Sequence, residues 1–244
     1  ALCDRLDRLE GKNVSNGAVV VIENATGNVL ALAGSRDYFG PHAGQVNGAW
    51  APRSAGSTFK PFTYLLALES GRTPASVVAD VPTDYATPTG VFSPYNYDRR
   101  FYGPVRLRLA LANSLNVTAV KVLEQAGGAA ALQKRLQQCG LTTLNARPAH
   151  YGLGLTIGNA EARLLELANA FATLGRLGVH RPYRLLETDQ QSASRIFDVR
   201  HAWPIADMLS DNDARAQAFG LDSALTFDFP VACKTGTSSE FRDN

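Results

Sequence analysis

Ser57-Thr58-Phe59-Lys60-Pro61-Phe62-Thr63-Tyr64-Leu65-Leu66-Ala67-Leu68-Glu69-Ser70-Gly71 is the stretch from which the rest of the chain is read. Its second half predicts a helix closed by a glycine stop. Pro61 suits a first helical turn, where backbone amides have no internal partner. Ser57 and Lys60 lie three residues apart at the start of that helix. They are expected to share one face within hydrogen-bond reach.

Upstream, Gly17-Ala18-Val19-Val20-Val21-Ile22-Glu23 and Asn28-Val29-Leu30-Ala31-Leu32-Ala33 are β-branched runs on either side of the turn former Asn24-Ala25-Thr26-Gly27. They predict an antiparallel hairpin. Downstream, residues 77–103 hold several Pro, Gly, Asp and Asn residues and read as an irregular connection. Helices are expected over 107–112, 117–126, 130–139 and 199–209. A further one, over 160–177, carries Leu164, Leu165, Leu167, Ala168, Phe171 and Leu174 as a core-facing stripe. Phe227 to Cys233 has strand character and runs into Lys234-Thr235-Gly236-Thr237. A hairpin, a largely helical stretch over 57–180 and a returning strand predict an α+β fold, with an antiparallel sheet flanking a helical insertion.

Three short patterns carry chemistry: Ser57-Thr58-Phe59-Lys60, Ser114-Leu115-Asn116 and Lys234-Thr235-Gly236-Thr237. Singly the first two are weak, and roughly one S-x-x-K is expected by accident in a chain this long. Their order and long gaps make the set strong. A serine hydroxyl needs a neighbouring base to become a good nucleophile, and Lys60 serves only when neutral. Burial and a second cation, Lys234, both favour the neutral amine. Ser114 can relay a proton between the two lysines. Asn116 offers a donor and an acceptor to a substrate amide. Lys234, Thr235 and Thr237 suit a terminal carboxylate, and Gly236 lets an extended substrate approach the backbone. The N–H groups of Ser57 and Thr237 are the candidate oxyanion donors. The plain alternatives are a helix cap at Ser57 and ordinary loop residues elsewhere.

Composition narrows the rest. Of 24 basic residues only Lys12, Lys60, Lys121, Lys134 and Lys234 are lysines, and two of the five fall inside the motifs. Arginine cannot lose its proton near neutrality, so a site that needs a deprotonated amine must use lysine. A net charge of +2 gives no basic stripe for nucleic acid. Cys3, Cys139 and Cys233 lack metal-type spacing, with Cys139 and Cys233 read as small apolar core residues. The four histidines are dispersed. No metal or cofactor is expected.

Ser57 to Phe62, Ser114-Leu115-Asn116 and Lys234 to Ser238 resemble the transpeptidase domain of class A high-molecular-weight penicillin-binding proteins. Asn96-Tyr97-Asp98, Gly103-Pro104-Val105 and Leu165 to Ala168 add to the resemblance. Phe219 to Ser223 and Phe229-Pro230-Val231 resemble the 1C branch. The resemblance runs from about Gly17 to Asn244, with residues 1–16 as a connecting segment.

It implies a β-lactamase/transpeptidase-like sheet between helical layers and D,D-transpeptidation through a serine acyl-enzyme. It implies peptidoglycan stem peptides ending in D-Ala-D-Ala and an acceptor amine as substrates, β-lactams as inhibitors, and the periplasmic side of a bacterial inner membrane as the location. It also implies a membrane anchor and a glycosyltransferase domain upstream, and further strands beyond the K-T-G segment. Without those strands, this stretch is expected to acylate slowly. The rival expectations are a serine β-lactamase or D,D-carboxypeptidase using Glu166 or Asn169 to activate water, and a penicillin-sensing module without turnover.

Overall fold

The computed structural model describes residues 2–9, 11–12, 14–88, 90–189 and 192–238. They form two compact units. One comprises Ala1–Arg53, Gln137–Asn145 and Glu161–Phe197; the other comprises Ser54–Leu136, Ala146–Ala160 and Asp198–Asn244. The last six residues of the expected domain lie outside the described residues.

In the first unit the hairpin forms as the sequence suggests. Val19–Ile22 pairs antiparallel with Val29–Ala33, and the register shifts between Val21 and Ile22. The helix Leu164–Gly175 packs against the Val19–Ile22 strand. Its most buried positions differ from the expected stripe. Leu165 and Leu174 are buried, but so are Glu166, Asn169 and Thr173, while Leu164, Leu167, Ala168 and Phe171 are only half-buried. The polar side chains can go inside because each has partners there: Glu166 with Thr142 and Arg163, Asn169 with Arg176.

The second unit is built round the helix Lys60–Glu69, which is buried on every side down to Leu68. A helix apolar all round belongs at the centre of a core. This one packs on the helices Asn116–Gln125 and Val199–Ser210 and on the 3-10 turn Gly152–Ile157. Phe62, Tyr64 and Leu65 have no exposed surface. Cys139, from the first unit, is likewise fully buried, whereas Cys233 is only half-buried.

Three expectations need correction. Residues 77–103 are not all irregular: Val77–Asp80 pairs antiparallel with Gly103–Arg106, and Tyr85–Thr87 with Gly90–Phe92. The burial of Val77–Asp80 alternates with period two and turns Asp80 inward, which is why its composition reads as a loop. Asn212–Phe219 is an additional helix, capped by Asp211 accepting from Ala214 N–H at 2.8 Å. The 227–233 segment is not a strand among the described residues. Cys233 N–H donates to Leu209 C=O at the end of a helix rather than to a neighbouring strand. The antiparallel pairing itself is present, as separate two-stranded pairs.

Candidate active site

Ser57 sits in a 3-10 turn, Gly56–Phe59, that runs straight into the helix Lys60–Glu69 with Pro61 in its first turn. The turn is fixed from several sides within its own unit. Ser54 Oγ donates to Gly158 O at 3.0 Å, and Ala55 N–H donates to Ala160 O at 3.2 Å. Gly158, at φ +86°, lies so close that a Cβ there would fall 2.2 Å from both Gly56 N and Gly56 O. Gly236 is also crowded, though less so: a Cβ there would meet Thr58 Cγ2 at 2.8 Å and Ala55 O at 2.9 Å, with Ser57 N at 3.7 Å. Thr237 backbone lies against Gly56 in turn, with its nitrogen 2.7 Å from where a Gly56 Cβ would stand. Three glycines, at 56, 158 and 236, thus allow three backbone segments to meet beside the serine.

Lys60, Ser114, Asn116 and Lys234 form one cluster. Lys60 Nζ donates to Ser114 O at 2.5 Å, to Asn116 Oδ1 at 2.7 Å and to Ser114 Oγ at 3.2 Å. Lys234 Nζ reaches the same Ser114 Oγ at 2.9 Å and Thr235 O at 2.7 Å. Ser114 presents both its carbonyl and its hydroxyl to Lys60 because its backbone is left-handed, at φ +56°. That conformation costs a residue with a Cβ about 1–2 kcal/mol.

Lys60 has no exposed surface, and burial, then the Lys234 cation, hold its amine well below the ordinary lysine range. Lys234 is half-buried as a residue, but its ammonium end is desolvated enough to bring it down to about 7. Two lysine amines share one hydroxyl, and among the described residues no carboxylate bonds either of them.

The expected direct contact between Ser57 and Lys60 is not made. Lys60 Nζ turns to Ser114 and Asn116, and among the described residues none of its bonds runs to Ser57 Oγ. The reason is competition, since a carbonyl and a carboxamide oxygen are stronger acceptors than a hydroxyl. Asn116 is also more engaged than the sequence suggests. Its Oδ1 takes Lys60 and its Nδ2 donates to Tyr95 O at 2.7 Å.

Sequence reading missed Asn96 as part of the site. Asn96 is buried, and its Oδ1 accepts the N–H of Asn116 at 2.8 Å and of Val117 at 3.3 Å, capping their helix from outside. The isolated Asn96-Tyr97 pair in a loop gave no periodic signal that would have found it.

Glu166 and Asn169 belong to the first unit, whereas the lysine cluster belongs to the second. Both Glu166 oxygens are occupied, by Thr142 N–H at 3.0 Å, Thr142 Oγ1 at 2.6 Å and Arg163 at 2.8 Å. Among the described residues no group of three or more His, Cys, Asp or Glu side chains is placed to hold a metal ion. No helix there is long and apolar enough to cross a membrane.

Comparison with known proteins gives the family and the fold. The chain is 37% identical over 235 residues to penicillin-binding protein 1C of Escherichia coli strain K12, covering 94% of this chain and 29% of that protein. It is 30% identical to penicillin-binding protein 1A of Neisseria gonorrhoeae, over 93% of this chain and 30% of that one. The chain therefore spans about 30% of the length of these curated relatives.

Among solved structures, penicillin-binding protein 1A of Haemophilus influenzae superposes with a TM-score of 0.71 at 25% identity, over 82% of this chain and 35% of that one. PonA1 of Mycobacterium tuberculosis does so with a TM-score of 0.71 at 22% identity, over 89% of this chain and 60% of that one. Residues 17–244 match the penicillin binding protein transpeptidase domain, and the chain belongs to that family, on its class A side.

Proposed function

We propose that Ser57 forms an acyl-enzyme with peptidoglycan stem peptides ending in D-Ala-D-Ala, that an acceptor amine resolves it to a D,D cross-link, and that β-lactams trap the same serine. The observation that carries this reading is Ser114 Oγ shared between two lysine amines, Lys60 at 3.2 Å and Lys234 at 2.9 Å. In a neutral Lys60 two N–H groups stay on Ser114 O and Asn116 Oδ1, and the third contact, to Ser114 Oγ at 3.2 Å, reverses so that the hydroxyl donates to the amine lone pair. That hydroxyl in turn accepts from the Lys234 ammonium, so a proton has a continuous route across the cluster.

Ser57 Oγ attacks the carbonyl carbon of the penultimate D-alanine and gives its proton to Lys60. A nucleophile–base hydrogen bond often tightens only with substrate in place, so the Lys60 amine has to swing from Ser114 towards Ser57. The oxyanion faces the N–H groups of Ser57 and Thr237, whose segments the Gly56 and Gly236 contacts bring together. The C–N bond then breaks, and the departing D-alanine amine takes a proton back through Ser114. The acceptor amine attacks the ester, loses a proton to the same relay and restores Ser57. Lys234, Thr235 and Thr237 hold the substrate carboxylate. We place the whole on the periplasmic side of a bacterial inner membrane, downstream of an anchor and a glycosyltransferase domain, by likeness to class A relatives.

Glu166 supports no hydrolytic rival, because its oxygens already serve Thr142 and Arg163. Intact-mass measurement after penicillin treatment tests the proposal. The wild-type chain should gain the mass of one penicillin, and Ser57→Ala should gain none. An unchanged wild-type mass, or a gain that persists in Ser57→Ala, would overturn it. Release of D-alanine from a stem peptide separates the enzyme from a sensor.

A further inference from the structure

Asn116 meets Lys60 through its carboxamide oxygen, and neighbouring groups fix where that oxygen points. Asn116 Nδ2 is tied to Tyr95 O at 2.7 Å, and the Asn116 backbone N–H to Asn96 Oδ1 at 2.8 Å. With its NH2 held by Tyr95, the oxygen can only face the other way, onto Lys60 Nζ at 2.7 Å. The residue at the helix cap, Leu115, has no side-chain bond to the first amides, so Asn96 does the capping from a distant loop.

Asn96 is anchored in its turn. Its Nδ2 donates to Arg100 O at 2.8 Å and to Asp80 Oδ2 at 2.8 Å, and the same Asp80 oxygen takes the Tyr102 N–H at 2.8 Å. Asp80 has no exposed surface, and its Oδ1 is buried without a hydrogen-bond partner. Burial pushes its carboxyl up, while the Tyr102 N–H, Asn96 and the Lys121 cation pull it down and Asp98 adds to the push. A buried carboxylate with an unpartnered oxygen is a poor way to stabilise a core, where an apolar side chain does better. Such a group calls for a role beyond packing.

We propose that Asn96, braced by Asp80, is a positioning residue for the acylation site, holding Asn116 so that its carboxamide oxygen stays on Lys60. The proposal rests on the assignment of Lys60 as the base of Ser57. It gives a job to two residues of the Val77–Asp80 strand and the following loop that touch neither nucleophile nor substrate. Among the described residues, the charged group that acts on Lys60 itself is Lys234.

The test compares Asn96→Ala and Asp80→Asn with Gln133→Ala, which removes another buried polar tie, to Ala146 O, in the same unit. Acylation by a fluorescent penicillin is followed against pH, with melting temperature as the folding control. Asn96→Ala should slow acylation about 10- to 100-fold. Its acid limb should also move to lower pH, because Lys60 loses an accepting oxygen that favours its charged form. Asp80→Asn keeps the shape and should do the same more weakly. Gln133→Ala should lower the melting temperature and leave both rate and limb in place.

The Lys60 amine is also titrated by NMR of 13Cε-labelled lysine, which needs no turnover. A wild-type chain that fails to acylate sinks the assigned activity, and the positioning role is then decided by this titration alone. If Asn96→Ala folds and leaves the Lys60 titration where the wild type has it, the proposal is overturned. Should Asn96→Ala not fold, Asp80→Asn decides in its place: a Lys60 titration unchanged in that variant overturns the proposal, and one moved to lower pH supports it.

Discussion

Two buried polar clusters can be set side by side, one in each unit. Around Glu166, a carboxylate meets an arginine, a backbone N–H and a hydroxyl, so its charge is answered and its oxygens are filled. Around Ser114, two lysine amines converge on one hydroxyl, with no carboxylate among the described residues bonded to either. The first arrangement lowers its own energy and is what a fold needs to put a charge inside. The second raises the energy of both charged forms and is sustained only by the surrounding packing, which is the mark of a site tuned for proton transfer. Charge balance tells the two apart better than burial does, since Lys60 and Glu166 are both essentially enclosed.

The contrast is broken most directly at Lys60. Lys60→Arg keeps the positive charge but removes the only form that can take a proton, so acylation should fall about 10²- to 10⁴-fold. A rate close to wild type would mean that the cluster is structural after all.

A smaller effect comes from pH. Acylation needs Lys60 neutral and Lys234 charged, so the second-order rate should climb as Lys60 loses its proton and decline again above about 7, where Lys234 loses its own. As the two amines are coupled, both limbs belong to the pair. Lys234→Arg, permanently charged, should abolish the alkaline decline while leaving the acid limb, as rate–pH profiles of the two proteins would show.

The smallest effect on rate belongs to the other cluster. Glu166→Gln removes the charge opposite Arg163 and should cost about 1–3 kcal/mol of stability by denaturant unfolding. Acylation rate and adduct lifetime should not change. A shortened or lengthened adduct would reinstate Glu166 as a hydrolytic group and dissolve the distinction.

Much of this was readable in the chain. The β-branched runs around Asn24–Gly27 gave the hairpin, and Phe62–Glu69 the central helix, because local composition and turn or stop signals decide both. The scarce lysines and the three motifs picked out the residues that the fold gathers around Ser114. What escaped was non-local. Asp80 looks like a loop residue until its strand pairs with Gly103–Arg106 and turns it inward. Asn96 lies in a stretch that carried the resemblance but no role, and its role appears only once it reaches the amides of a helix some 20 residues onward. The 227–233 run shows the converse failure. Its β-branched and aromatic residues suit a strand, but a strand needs a partner edge, and Cys233 bonds to the end of a helix instead. Even the Ser57–Lys60 spacing set only proximity, and competing acceptors decided where the amine points.

The backbone junction at Gly56, Gly158 and Gly236 has a bearing on biosynthesis. Protein chains emerge from the ribosome amino end first, so Ser57 is exposed well before either distant glycine has been polymerised. Until Gly236 and Thr237 arrive, the nascent polypeptide lacks the backbone that packs against Gly56 and the Ser57 turn in the folded chain. The junction is thereby completed only once synthesis has run far past Ser57.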